Sequence, residues 1–269
     1  MRSLFPWMGG KSRQAKQLAS LLAEHTCYVE VFSGAANLLF EKAPSKVEVI
    51  NDINADIINL FRIARFHPRE LVRELQFVTH NRLDYKAYRA QPGITDVQRA
   101  ARTWLILRSS FGGRGGTKSP AFGYGTTGPR GFRRSAFSLI KSCHRRLANV
   151  TIENLDYAEC IKRYDRPHTL FYCDPPYLET NGYLYDFTPD DHAKLAELLH
   201  SIKGKFLLSI NDHRRIRKLY KGLPRRKVDV KYSVSRDKSA KARDRTELII
   251  ANYPLAPASR RKKPKKKGK

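Results

Sequence analysis

A chain of 269 residues, 41% of them hydrophobic, is long enough for one α/β domain with an inserted subdomain. Its formal charge is +27, and eight Lys and Arg crowd into residues 259–269, leaving +19 on the rest, so a polyanion is the expected partner. With no apolar run near the roughly 20 residues of a membrane span, no signal-peptide pattern, and four cysteines without Cys-x-x-Cys or paired-histidine spacing, the expectation is a cytoplasmic monomer without membrane or metal, its cysteines buried free thiols.

The chain opens on Phe5-Pro-Trp-Met-Gly-Gly-Lys11, followed by a predicted helix over 12–24 with Leu18, Leu21 and Leu22 on one stripe and Ser12 as its cap. Two glycines before a lysine suggest an anion cradle, but a P-loop needs four residues between its glycines, so a phosphate site is disfavoured. Residues 28–32 alternate as a strand, and Ser33-Gly34-Ala35-Ala36-Asn37 turns into a helix over 38–42. This is the strand, glycine turn and helix at which Rossmann-like folds bind nucleotides. A second strand over 46–50 ends at Asn51-Asp52-Ile53-Asn54. Asp52 lies 18 residues past Gly34, where an acid accepts both ribose hydroxyls of a nucleoside; it also suits the cap of the helix over 55–66.

From His67 the pattern changes. Residues 68–92 read as polar helix, and 97–152 hold eleven Lys and Arg with no Asp or Glu. Trp104, Phe111, Phe122, Tyr124, Phe132 and Phe137 are interleaved with these cations, and glycines cluster from Gly112 to Gly131, suggesting flexible loops. Cations for phosphates, aromatics for unstacked bases and glycines for close approach make a DNA-reading surface, with Arg108, Arg114, Lys118, Tyr124, Arg130, Arg133 and Arg134 as its candidate contacts.

Strands over 151–155 and 169–173 follow, the second ending in Asp174-Pro175-Pro176-Tyr177. Next come a tyrosine-rich loop over 178–187 with Asn181 and Gly182, a helix over 189–202 capped by Thr188-Pro-Asp-Asp191, a strand over 205–210 ending at Asn211-Asp212-His213, and a final pair over 227–234 and 247–253. The loop over 235–245 carries five Lys and Arg, a further candidate phosphate contact. The basic tail is expected to be disordered and to aid nonspecific DNA binding. Seven strands separated mostly by helices predict an α/β, Rossmann-like seven-stranded sheet, with the interrupting segment a mostly helical insertion.

The chemistry concentrates at Asp174. An apolar run ended by an acid and two prolines delivers a carboxylate, rigid carbonyls and an aromatic ring to the carboxyl edge of a sheet, where open α/β sheets bind ligands. The Asp174 carboxylate and the Pro175 carbonyl suit the two hydrogens of a planar amine, and the face of Tyr177 suits a flat ring. Two acceptors pulling on an aromatic amine favour its pyramidal, nucleophilic form, so the stretch reads as an amine activator.

Asp-Pro-Pro-Tyr after an apolar strand is the signature of amino-directed S-adenosyl-L-methionine-dependent methyltransferases. The chain resembles, more narrowly, the Dam-like (D12 class) DNA adenine-N6 methyltransferase family. Trp7-x-Gly-Gly-Lys11 is similar to the motif that opens this family, which implies that Trp7 and Lys11 line the S-adenosyl-L-methionine site. Phe32 and Gly34 match Phe-x-Gly-x-Gly, with Ala36 for the second glycine, and a loop needing positive φ there would be strained. Asn51-Asp52-Ile53-Asn54 resembles Ala-Asp-Ile-Asn, while Asp156-Tyr157 either meets the cofactor's adenine or caps a surface helix.

The resemblance implies a cofactor-binding part over 1–66, a target-recognition insertion over 67–148, a catalytic part over 149–256 and the tail over 257–269. It implies methylation of adenine in double-stranded DNA of a bacterial cell or phage-infected host, with Asp174, Pro175, Pro176 and Tyr177 catalytic and Asp174 also touching the cofactor. Many relatives carry Asn-Arg-x-Gly-x-Asn-Gly where this chain has Arg108-Ser-Ser-Phe-Gly-Gly-Arg-Gly-Gly116, so the family's common GATC target does not carry over. Asn211-Asp212-His213 resembles a Ser-Asn-His-Asp turn in altered order. Cytosine-amine methylation would prefer Ser at 174 and protein glutamine methylation Asn. RNA adenine methylation and a non-enzymatic DNA-binding protein are the alternative readings.

Overall fold

The computed structural model describes residues 1–124, 137–178, 182–230 and 245–255. Strands β1 (Cys27–Glu30), β2 (Val47–Asn51), β3 (Val150–Glu153), β4 (Thr169–Cys173), β5 (Lys205–Asn211), β6 (Arg225–Val230) and β7 (Arg245–Ala251) form one sheet in the order β3-β2-β1-β4-β5-β7-β6. The first five are parallel, and β7 runs antiparallel between β5 and β6. After β1 the chain builds outward through β2 and β3, then returns to place β4 on the other flank of β1. That reversal opens a crevice beyond the carboxyl ends of β1 and β4.

Side-chain alternation sends neighbouring residues of each strand into two separate cores. Tyr28, Ile50, Tyr172, Leu207 and Ile249 face one, with helices α2 (Asn37–Glu41), α3 (Ala55–Phe66), α6 (Asp96–Ser109) and α7 (Phe137–Leu147). Val29, Val49, Phe171, Leu208 and Ile250 face the other, with α8 (Tyr157–Tyr164), α9 (Pro189–Ser201) and α10 (Arg214–Leu219). All four cysteines are buried free thiols. No helix among the described residues is long and apolar enough to cross a membrane.

The predicted helix over 12–24 shrinks to α1 (Ala15–Ala19), and Ser12 does not cap it; the cap position is Gln14, without a side-chain bond. Residues 11–14 form a turn, with Gln14 and Ala15 N–H groups both donating to the Lys11 carbonyl, and the Ser20 hydroxyl donates to the Gln17 carbonyl at the far end. The polar stretch over 68–92 divides into α4 (Pro68–Gln76) and α5 (Arg82–Ala90). The capping box of Thr188 and Asp191 forms, and Asn54, not Asp52, caps α3. Ala36 has φ 50°, so the position does adopt the left-handed conformation for which glycine is suited. This costs about 1–2 kcal/mol, offset in part by the roughly 0.8 kcal/mol of its buried methyl.

Gly115 and Gly116 are packing residues in a 3-10 turn, not a flexible loop: a Cβ on Gly115 would lie 2.5 Å from Leu107 Cα, and one on Gly116 2.3 Å from the Trp7 ring, while Gly112 (φ 65°) and Gly113 (φ 72°) take the left-handed conformation. Nor do the aromatics all face solvent. Trp104 is fully buried on α6, Phe137 packs against it, and Phe122 is half-buried among His80, Tyr85 and Arg82. Tyr124 is 66% exposed with the Arg82 guanidinium over its ring. Trp104→Ala is therefore expected to cost about 3–5 kcal/mol in chemical denaturation, and Tyr124→Ala less than about 0.5 kcal/mol.

Candidate active site

The carboxyl ends of β1 and β4 meet through the Val31 N–H, which donates to the Tyr172 carbonyl at 3.0 Å. This sets the turn after β1 beside Asp174. Lys11 reaches the same point from the amino-terminal segment, although only 5% exposed. Its Nζ donates to the Asp174 carboxylate (2.7 and 2.9 Å), the Tyr177 hydroxyl (2.7 Å) and the Gly9 carbonyl (3.1 Å), employing all three ammonium hydrogens. The Tyr177 hydroxyl in turn donates to Glu247 Oε1 at 2.6 Å, on β7. Burial pushes Asp174 up to about 6, with Lys11 pulling it down and Glu247 adding to the rise.

A cavity of about 350 Å³ extends from Asp174 across β1 to β2, lined by Trp7, Phe32, Gly34, Asp52, Tyr157 and Asp174 among others. A nucleoside-sized ligand suits that volume. Asp52 Oδ2 accepts from the Gly34 N–H (2.8 Å) and Oδ1 from the Asn54 N–H (2.9 Å), and burial lifts its pKa to about 6. Gly34 has φ 47°, and a Cβ there would stand 2.7 Å from Trp7 Nε1; Trp7 thus touches Gly34 with its five-membered ring and Gly116 with its six-membered ring. Phe32 stacks on Tyr157 at 5.7 Å and meets Phe187 edge-on at 5.6 Å.

Trp7, Lys11, Phe32, Gly34, Asp52, Asp156, Asp174, Pro175, Pro176 and Tyr177 all line this one cavity. Asp156 also caps α8, accepting from the Ala158 N–H, as the helix-cap reading expects. Two placements differ from the simple expectation. Lys11 directs its ammonium to Asp174 rather than outward, and Tyr177 is 8% exposed with its hydroxyl engaged, so only part of its ring faces the cavity. Sequence reasoning passed over Glu30 and Glu247. Glu30 accepts from the Leu39 N–H (2.9 Å) and the Tyr28 hydroxyl (3.0 Å) and is pushed by burial to about 8. An acid inside an apolar strand was the available signal for both.

Of the expected DNA contacts, Arg114, Lys118 and Tyr124 are exposed, while Arg108 is half-buried, donating to the Leu4 carbonyl and stacking over Trp104. Lys118 is paired with Asp186 (2.7 Å), its N–H donates to the Gly182 carbonyl, and Thr117 bridges Tyr183, so the insertion is joined to the loop after Tyr177. Arg130, Arg133, Arg134, Asn181, the loop over 235–244 and the tail lie outside the described residues. Among the described residues no group of three or more His, Cys, Asp or Glu is arranged to hold a metal ion.

A seven-stranded sheet with β7 reversed, a nucleoside-sized cavity at the β1 and β4 switch point, and Asp-Pro-Pro-Tyr in its wall define a Rossmann-like methyltransferase. Residues 7–234 match the D12 class N6 adenine-specific DNA methyltransferase family, and the chain belongs to that family. It is similar to the Type II methyltransferase M1.LlaDCHI of Lactococcus lactis subsp. cremoris (29% identical over 94% of this chain and 96% of the relative). The DNA adenine methylase of Vibrio cholerae serotype O1 (25%, 94% and 96%) and the Type II methyltransferase M.MjaIII of Methanocaldococcus jannaschii (25%, 94% and 99%) match over similar spans. The protein is an adenine-specific DNA methyltransferase.

The ionised form of Asp174, which can accept but not donate, is lost as pH falls through about 6. We therefore expect kcat/KM for methyl transfer to show an acid limb near pH 6, falling about tenfold per pH unit below it. Lys11→Met removes a cation that lowers the Asp174 pKa, so the limb should move to higher pH, whereas any limb due to Asp52 should stay. A profile unchanged by Lys11→Met would contradict this assignment.

Proposed function

We propose that the protein transfers the methyl group of S-adenosyl-L-methionine to the N6 amine of an adenine flipped out of double-stranded DNA. The observation that carries this reading is the position of the Asp174 carboxylate, in the wall of a nucleoside-sized cavity and fixed there by the Lys11 ammonium. The residues fit the cofactor: Asp52 for ribose hydroxyls, Trp7, Phe32 and Tyr157 for apolar and ring contact, and Gly34 for close approach. When bound, the cofactor supplies an electrophilic methyl on a sulfonium that is its own leaving group.

The chain's part is to present the amine. Inside a duplex N6 is base-paired, so extrusion is required, at a cost on the order of a few kcal/mol, and stacking on an aromatic such as Tyr177 returns about 1–3 kcal/mol. Asp174 and the Pro175 carbonyl accept the two amine hydrogens and favour the pyramidal nitrogen at the moment of attack. The Lys11 ammonium opposes protonation of Asp174, which keeps it an acceptor at neutral pH. Residues 67–148, with Arg114, Lys118 and Tyr124 exposed, serve to recognise the target, and Arg108 to brace them.

Asp174→Asn is the test variant, because it removes the carboxylate charge while keeping a side-chain oxygen to accept from the buried Lys11 ammonium, which Asp174→Ala would not. Adenine-modification sequencing of host DNA should find N6-methyladenine at one sequence motif with the native protein and none with Asp174→Asn. The purified variant should lose at least about 10²-fold in rate, with DNA affinity held within about threefold. Turnover retained in the variant would remove the Asp174 charge from the mechanism.

A further inference from the structure

A second cavity, of about 380 Å³, lies behind the first: Pro176, Tyr177, Tyr183 and Phe187 belong to both walls, while His213 and Arg215 line the second alone. Its outer end opens to solvent, since Arg215 is 45% and Asp190 86% exposed. We propose that this cavity holds the phosphodiester beside the flipped adenine, with the Arg215 guanidinium and the His213 imidazole as its donors. The inference rests on base extrusion, and makes Arg215 and His213 positioning residues for the reaction.

The two cavities meet at the amine activator. The first is the nucleoside-sized space between Trp7, Asp52 and Asp174, and in-line transfer requires the acceptor to approach Asp174 from another side. A nucleotide whose base is seated there still has its sugar and two phosphates to place, and the second cavity leads from Pro176 and Tyr177 toward α10 and solvent. A guanidinium presents a planar fork that matches two phosphate oxygens. Among the described residues the Arg215 guanidinium has one ion pair, a 3.4 Å contact with the exposed Asp190, a pair worth about 0–1 kcal/mol. A phosphate can take its place at little cost. His213 Nδ1 accepts from the Arg215 N–H at 3.2 Å, so a ring proton sits on Nε2 and that nitrogen is a donor.

The charge around the cavity agrees. Residues 214–227 contain eight Lys and Arg and no acid. Arg217 and Lys227 are tied to Asp212, whereas Arg214, Lys218, Lys221 and Arg225 are exposed. The acid in the wall, Asp186, is paired with Lys118. A polyanionic strand leaving the cavity would therefore meet a second basic surface, on an element distant in sequence from the insertion.

The experiment uses Arg215→Gln, Arg215→Lys and Arg214→Gln in the full chain, with short duplexes carrying the site that adenine sequencing maps. For Arg215→Gln we expect KM for DNA to rise roughly tenfold, and the slope of log KM against log salt to fall by about 1. Arg215→Lys should restore the slope. Neutral methylphosphonates at each of the two phosphates flanking the target adenine locate the contact: one should weaken the native protein and Arg214→Gln but add nothing to Arg215→Gln. If both substitutions at the flanking phosphates weaken Arg215→Gln as much as the native protein, or if Arg214→Gln and Arg215→Gln behave alike, α10 is only a general basic surface and the proposal fails. A native protein that methylates no adenine would instead overturn the reading on which this one rests.

Discussion

Removing the buried Lys11 ammonium from its partners would leave Asp174 without its cation and Tyr177 without its donor, so this one contact organises the active edge of the sheet. The two groups are 163 residues apart in sequence. Their pairing anchors the amino-terminal segment across the carboxyl ends of β1 and β4. Such a pair is costly to desolvate and stabilises only when its remaining hydrogens are satisfied, as they are here by Tyr177 and Gly9. Gly9 and Gly10 follow from that placement. Gly9 has φ 75° with the Tyr183 hydroxyl 2.7 Å from where a Cβ would stand, and at Gly10 a Cβ would meet the Trp7 carbonyl at 3.0 Å.

The same segment carries Trp7, and through it the insertion is joined to the cavity. The indole touches both Gly34 and Gly116, with no room for a methyl group at either. Thr117 and Lys118 continue from Gly116 to pair with Tyr183, Gly182 and Asp186. The insertion is thus a wall of the cavity as well as an exposed basic surface. A shift at residues 111–118 would press on Trp7, so the exposed basic side and the cavity are mechanically linked. No separate relay is needed.

How much of this was legible in the sequence follows from how local each determinant is. The strand over 169–173 and the helix over 55–66 match residue for residue, because an uninterrupted apolar run and a 3.6-residue stripe are local signals. Asp174, Asp52 and Gly34 were readable because strand ends and turns reveal themselves through prolines, glycines and acids. The helix after Lys11 was over-extended because its start is governed by the fold of residues 11–14, which sequence period does not encode. Trp104 looked like part of the basic surface because its neighbours in sequence are cations, yet α6 turns it inward against Phe137. Glu247 was invisible as a site residue because its partner Tyr177 lies 70 residues away and the strand register that joins them is a tertiary fact.

The charge distribution explains why acids are retained in so basic a chain. The exterior is positive, but the first cavity is lined by Glu30, Asp52, Asp156 and Asp174, with burial lifting the pKa of Glu30, Asp52 and Asp174. Holding carboxylates there is unfavourable, and the raised values measure that. The effect on ligands is a sorting of charge by depth. A phosphate is drawn to the surface and repelled from the acids that line the first cavity. A cationic group, conversely, is favoured inside, where the low dielectric strengthens its attraction to the acids. Exterior and interior therefore select opposite charges, and Asp174 sits at the boundary, with Lys11 keeping it ionised where burial alone would push it toward the neutral acid.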